Sequence, residues 1–142
     1  MLRRSLITLQ QQIRSSIRSS SNSLDNGNAT TNISLNAYHK ESDNTLEDLS
    51  ERLESILEDK YDQGADVTLN NGVLTAVIDR QHTYVINKQT PNRQLWLSSP
   101  LSGPMRFDFI DGQWVEKRTK TEMNALLSKE LSQLLKIKVN VE

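Results

Sequence analysis

The sequence predicts an α+β domain, a two-layer α-β-α sandwich with two helices packed side by side on one face of an antiparallel sheet of about six strands. Three observations carry that expectation. Apolar residues recur at helical spacing in two separated stretches, Leu46-Leu49-Leu53-Ile56-Leu57 and Met123-Leu126-Leu127-Leu131-Leu134-Leu135. Between them the chain alternates with period two and is punctuated by Asn-Gly, Asp-Gly and proline, the mark of short strands joined by tight turns. No strand alternates with a helix and the 5 glycines are isolated, so a parallel sheet with a phosphate loop has no support. Two one-sided helices and a one-sided sheet bury their apolar faces most simply against each other.

Each element follows in order. The first helix is expected over about residues 36–59, with Asn36 as N-cap and Gly64 beyond its far end. Val67 and Leu69 then precede Asn71-Gly72, a two-residue hairpin signal of the primed-turn kind, and Val73 to Ile78 form the returning strand. Thr83 to Lys88, Gln94 to Ser98, Met105 to Phe109 and Gln113 to Val115 supply four more strands, with Asp111-Gly112 as the last turn. Pro91, Pro100 and Pro104 fall between strands or at a strand's start, where a missing N–H does least harm. A second helix is expected from about Thr121, after which Ile137, Val139 and Val141 remain available to pack.

A chain of 142 residues holds one ordinary domain. Only 35% of it is hydrophobic, so part of the chain is expected outside the core. Four arginines against one acid give residues 1–34 a charge of +3, and with −1 overall the remainder carries −4. Leu2, Leu6, Leu9, Ile13 and Ile17 make a helical apolar stripe flanked by Arg3, Arg4, Arg14 and Arg18, followed by a polar run of serine and asparagine. Basic, serine-rich and acid-poor, residues 1–34 read as a mitochondrial transit peptide and a disordered segment, with 35–142 as the folded domain. The plainer alternative is a basic tail that stays attached. With no cysteine and 2 histidines, disulfides, thiolate chemistry, cysteine-built metal sites and imidazole-rich sites are excluded. No apolar run approaches the roughly 20 residues that span a bilayer, so no membrane insertion is expected.

Two features carry chemistry. Glu47, Glu51, Glu54 and Glu58 lie opposite the leucine stripe of the first helix, flanked by Glu41, Asp43 and Asp48, with Asp62 and Asp66 able to extend the ridge onto the first strand. Like charges at this spacing repel. The arrangement reads either as a solvated face or as a carboxylate surface for a hard cation or a basic partner. Carboxylates on one exposed helix do not enclose an ion, so any affinity is weak, about 10⁻⁵ to 10⁻³ M for an open oxygen site. The second feature is Trp96. Alternation in Gln94-Leu95-Trp96-Leu97-Ser98 sends both leucines to one face and Trp96 to the other, where Arg106 and Asp108 of a neighbouring strand also point. An exposed Trp near Asn92, Gln94 and Arg106 has the composition of an interface hot spot. Alternatively it lies flat over the sheet with Arg106 stacked on it. No serine, histidine and acid constellation supports a hydrolase, and His39 at the head of the acidic helix is either a single metal donor or a polar helix-start residue.

The eighteen residues Asn87-Lys88-Gln89-Thr90-Pro91-Asn92-Arg93-Gln94-Leu95-Trp96-Leu97-Ser98-Ser99-Pro100-Leu101-Ser102-Gly103-Pro104 closely resemble the central signature of the frataxin family. The resemblance extends from about Tyr38 to Leu135 and includes the acidic first helix, Asn71-Gly72 and Gly112-Gln113-Trp114-Val115. It implies the same α-β-α sandwich, import into the mitochondrial matrix, and association with cysteine desulfurase and the iron–sulfur scaffold protein. It also implies weak binding of iron, Fe²⁺ or Fe³⁺, with iron-driven self-association and ferroxidase activity in some members. Carried over by position, the iron ridge is Glu41, Asp43, Glu47, Asp48, Glu51 and Asp66, to which the clustering above adds Glu54. The partner contacts are Asn87, Gln89, Asn92, Gln94, Trp96 and Arg106. Lys40 and Thr68 stand where some relatives carry acids. The function implied is activation of iron–sulfur cluster assembly, as iron donor or iron sensor, with no nucleic acid involved. The alternative is a ferroxidase and iron-storage protein that oxidises Fe²⁺ and oligomerises.

Overall fold

The computed structural model describes residues 33–142, so all but Ile33 and Ser34 of the expected transit peptide and disordered segment lies outside the described residues. Helix α1 spans Leu35–Leu57. Its N-cap is Ser34, not Asn36: the Ser34 hydroxyl accepts from Ala37 N at 3.2 Å. Serine and asparagine cap equally well, and here the serine two residues earlier takes the position. Beyond Leu57 the chain tightens into a 3-10 turn, Glu58–Gln63, closed by Gly64 at φ 95°. Glu58 therefore sits one residue past α1.

Seven antiparallel strands follow in sequence order: β1 Asp66–Asn70, β2 Val73–Val77, β3 Thr83–Gln89, β4 Gln94–Ser99, β5 Gly103–Ile110, β6 Gln113–Glu116 and β7 Thr121–Glu122. Helix α2 spans Met123–Leu135. The seventh strand exceeds the expected six because Thr121 and Glu122 pair with Glu116 and Val115 before the helix begins. A two-residue strand running straight into a helix has no period of its own. Glu122 has a second task, accepting from Asn124 N and Ala125 N as the N-cap of α2. Both expected turns form, with Asn71 at φ 49° and Gly72 at φ 74°, the left-handed pair a primed hairpin requires.

Alternation decides which face is covered. Leu74, Ala76, Tyr84, Ile86, Leu95, Leu97 and Phe107 are buried against Leu46, Leu49, Leu53 and Leu57 of α1 and Met123, Leu127 and Leu131 of α2. Each leucine, isoleucine, methionine or phenylalanine among them contributes about 1.5–3 kcal/mol by leaving water. Polar bonds fix the angle of α1 on the sheet: Tyr38 donates to the Gln94 carbonyl at 2.9 Å, and Trp114 Nε1 to Thr45 Oγ1 at 2.9 Å. After α2 the tail runs back along the helix, where Val139 N donates to Ser132 Oγ and Val141 N to Ser128 Oγ. Val139 and Val141 are buried, whereas Ile137 is 55% exposed. Among the described residues the sheet's other face carries no helix.

Candidate functional site

The open sheet face is built by register. Asn87 pairs with Trp96 and Trp96 with Arg106, so these three stand in one row across β3, β4 and β5. Gln89, Gln94 and Asp108 form the adjacent row. Asn92 lies outside both, exposed in the 3-10 turn Thr90–Asn92 that joins β3 to β4. Five of the six expected contact residues are thus brought onto one strip, with the sixth at its end.

Trp96 is held rather than loose. Leu95 and Leu97 are buried on the core side, as alternation requires, and the indole is half-buried on the other. The Arg106 guanidinium lies over it, 4.6 Å from the ring centroid. Its Nε1 donates to Gln94 Oε1 at 2.9 Å, and Gln94 Nε2 donates in turn to Asp108 Oδ1 at 3.2 Å. Asp108 is buried, with Lys117 Nζ 3.8 Å from its second oxygen. The two sequence alternatives merge here: the ring has Arg106 stacked on it and remains accessible. Such a stack contributes about 0.5–1 kcal/mol when exposed. A cleft of about 570 Å³ opens beside the ring, lined by Asn87, Trp96, Pro104, Arg106, Glu116 and Arg118.

The acidic residues divide over three directions. Glu47 and Glu54 are exposed on the crest of α1, with Glu51 half-buried between them. Glu41 and Asp48 turn toward a second cleft, of about 550 Å³, shared with Arg52, Trp114, Glu122 and Glu142. Asp43 turns the other way and accepts from Lys88 Nζ at 2.6 Å. That ammonium is also 3.0 Å from His39 Nδ1 and 5.7 Å from the Tyr38 ring centroid. Lys88 thus places a cation where a metal would meet Asp43 and His39, a contact the sequence reading missed. Asp66 is exposed at the start of β1, and the exposed Tyr61 marks its nearness to the helix. Its phenol is held above the usual value first by burial, then by the charges of Glu54, Asp66 and Glu58. The end of the ridge and the first strand therefore share one negative field.

Among the described residues, no three histidine, aspartate or glutamate side chains converge closely enough to hold a metal ion. The carboxylate oxygens are donors of the kind that hard cations take. No helix among the described residues is long and apolar enough to cross a membrane.

A family model described as a frataxin-like domain matches residues 31–137. The mitochondrial frataxin homolog of Saccharomyces cerevisiae is 45% identical over 104 residues, covering 73% of this chain and 60% of the relative. Mitochondrial frataxin of Dictyostelium discoideum is 42% identical over 118 residues, covering 82% and 61%. The chain thus spans about three fifths of the length of these relatives. The solved structure of yeast frataxin superposes with a TM-score of 0.64 at 41% identity, over 81% of this chain and 97% of that one. Trimeric frataxin from Saccharomyces cerevisiae in a ferrous complex gives 0.62 at 39% identity, over 80% and 91%.

Proposed function

Because the chain belongs to the frataxin family, we propose that it activates mitochondrial iron–sulfur cluster assembly by docking its Trp96 face on the complex of cysteine desulfurase and scaffold protein, as iron donor or iron sensor. The observation that carries this reading is the held indole: Arg106 fixes the ring plane and Gln94 fixes its N–H before any partner arrives. Little side-chain entropy is then lost on binding. Trp96 is the anchor, Arg106 and Gln94 its supports, and Asn87, Gln89 and Asn92 the amide contacts around it. The mitochondrial names of the relatives and the basic, acid-poor N-terminus support action in the matrix.

Iron is cargo in this reading. Glu41, Asp43, Glu47, Asp48, Glu51, Glu54 and Asp66 offer single oxygens along a surface, so a bound ion keeps much of its water and transfers readily to a more enclosed site. For Asp43 to take part, Lys88 has to move aside. No covalent chemistry is assigned to this chain.

Cluster assembly reconstituted from desulfurase, scaffold, iron and cysteine tests the proposal. The protein from Leu35 onward accelerates it, and Trp96→Ala loses most of that acceleration while keeping its circular dichroism and melting behaviour. An unfolded Trp96→Ala would make the residue core and remove the interface claim; no acceleration by the wild type would shift weight to a second reading. That reading is a ferroxidase and iron store, favoured by the yeast relative solved as a trimer in a ferrous complex. It requires that Glu47→Gln, Glu51→Gln and Glu54→Gln together abolish Fe²⁺ oxidation.

A further inference from the structure

We propose that the cleft beside Trp96 receives an acidic segment of the partner protein, with one carboxylate clamped between Arg106 and Arg118. The inference rests on the docking reading above and adds the chemistry of what docks. Both arginines line the same cleft of about 570 Å³, Arg106 from β5 and Arg118 from the loop between β6 and β7. The Arg106 guanidinium carbon sits 4.6 Å from the Trp96 ring centroid, and the group makes no hydrogen bond among the described residues. Its N–H donors are therefore available for the two-pronged geometry that a carboxylate matches. Among the described residues neither guanidinium makes a close ion pair with a carboxylate, although the Arg118 charge reaches Glu116 of the same cleft. Trp96 and Pro104 give the cleft an apolar wall for the neighbouring side chain, and Asn87 offers an amide to the segment's backbone.

The one acid in the cleft is already committed. Glu116 accepts from Arg118 N at 3.2 Å, from Thr119 N at 2.8 Å and from the Thr119 hydroxyl, all within its own loop. The Thr119 hydroxyl foremost, then these backbone N–H groups and the Arg118 charge, hold its carboxyl below the usual range, so it stays ionised and engaged by its own turn. Two exposed cations, of which Arg106 is held over the indole, therefore face solvent beside one anion engaged by its own turn. Lys117 and Lys120, both exposed in the same loop, add to the field. This local sign opposes the −4 of the domain, so the cleft selects acid where the rest of the surface repels it.

Affinity for the desulfurase–scaffold complex, measured at low and high salt with the full chain, decides it. Arg118→Ala weakens binding about 5–10-fold at low salt and flattens its salt dependence, and Arg118→Lys falls between because a point charge cannot grip both oxygens. Unaltered melting curves confirm that the loop still folds. If Arg118→Ala binds like wild type at every salt while Trp96→Ala is weakened, the clamp is overturned and the docking reading stands. If the wild type does not bind the complex, the docking reading fails, and a short Glu-rich peptide then judges the clamp through the indole N–H resonance of Trp96. A saturable shift absent in Arg118→Ala upholds it; no shift in the wild type overturns it.

Discussion

Glu130 on α2 is 4% exposed, and its carboxylate accepts from the Tyr84 hydroxyl at 2.8 Å, the Ser99 hydroxyl at 2.6 Å and the Ser102 hydroxyl. Ser99 Oγ in turn accepts from Leu101 N and Ser102 N, so one acid ties the turn between β4 and β5 to the helix layer. Burial first, then the Glu130 bond and charge, push the Tyr84 phenol far above its usual value, which keeps it a donor at every working pH. Glu130→Ala leaves two buried hydroxyls without an acceptor and costs about 2–4 kcal/mol in urea unfolding, with Glu130→Gln costing less. A loss below about 1 kcal/mol for the alanine would mean that water replaces the carboxylate without penalty. Single residues differ in how legible they were. Trp96 was read correctly as facing away from the core because strand alternation is a local rule. The roles of Glu130 and Lys88 went unread, because their partners lie 46 and 45 residues away and only the folded chain brings them together.

At the scale of elements, strong periodicity was sufficient: both helices and six of the seven strands stand within a few residues of expectation. What escaped were features with no repeat, the Ser34 cap and the two-residue β7. The turn between β2 and β3 is of the same irregular kind. Asp79 Oδ1 accepts from Gln81 N at 2.8 Å and His82 N at 3.0 Å, with His82 Nδ1 also at 2.8 Å. The His82 side chain first, and the Gln81 N–H next, hold the Asp79 carboxyl below its usual value. A carboxyl lowered in the folded state stabilises the fold above its unfolded pKa, and this contribution is lost as pH falls through the lowered folded value. Amide exchange at Gln81 and His82 should therefore quicken on acidification below the ordinary carboxylate range. Asp79→Asn keeps an oxygen acceptor but not the charge, so its turn opens to the same degree across that range. An acid step of full size in Asp79→Asn would place its origin elsewhere.

Across the whole molecule, the two layers keep the two chemistries apart. Carboxylates crown the helix layer, while Trp96 and its arginines occupy the far face of the sheet, with the core between them. The fold makes this separation unavoidable, since a one-sided sheet covered by two helices has one face for each. Substitutions in the two regions share no partner, so their free energies should add within about 0.3–0.5 kcal/mol. Trp96→Ala should lose most of the acceleration of cluster assembly yet leave weak iron binding intact. The triple change Glu47→Gln, Glu51→Gln and Glu54→Gln should lower iron binding and iron-dependent self-association, and should raise thermal stability slightly by removing like-charge neighbours on α1. Docking at the sheet face needs none of these carboxylates, so the triple variant should still bind the desulfurase–scaffold complex through Trp96. Titrating that complex with both variants and their combination decides whether the layers act separately. If the triple variant loses binding as fully as Trp96→Ala, the partner must wrap from the sheet face onto α1, and the acidic crest becomes part of one continuous interface rather than an independent iron surface.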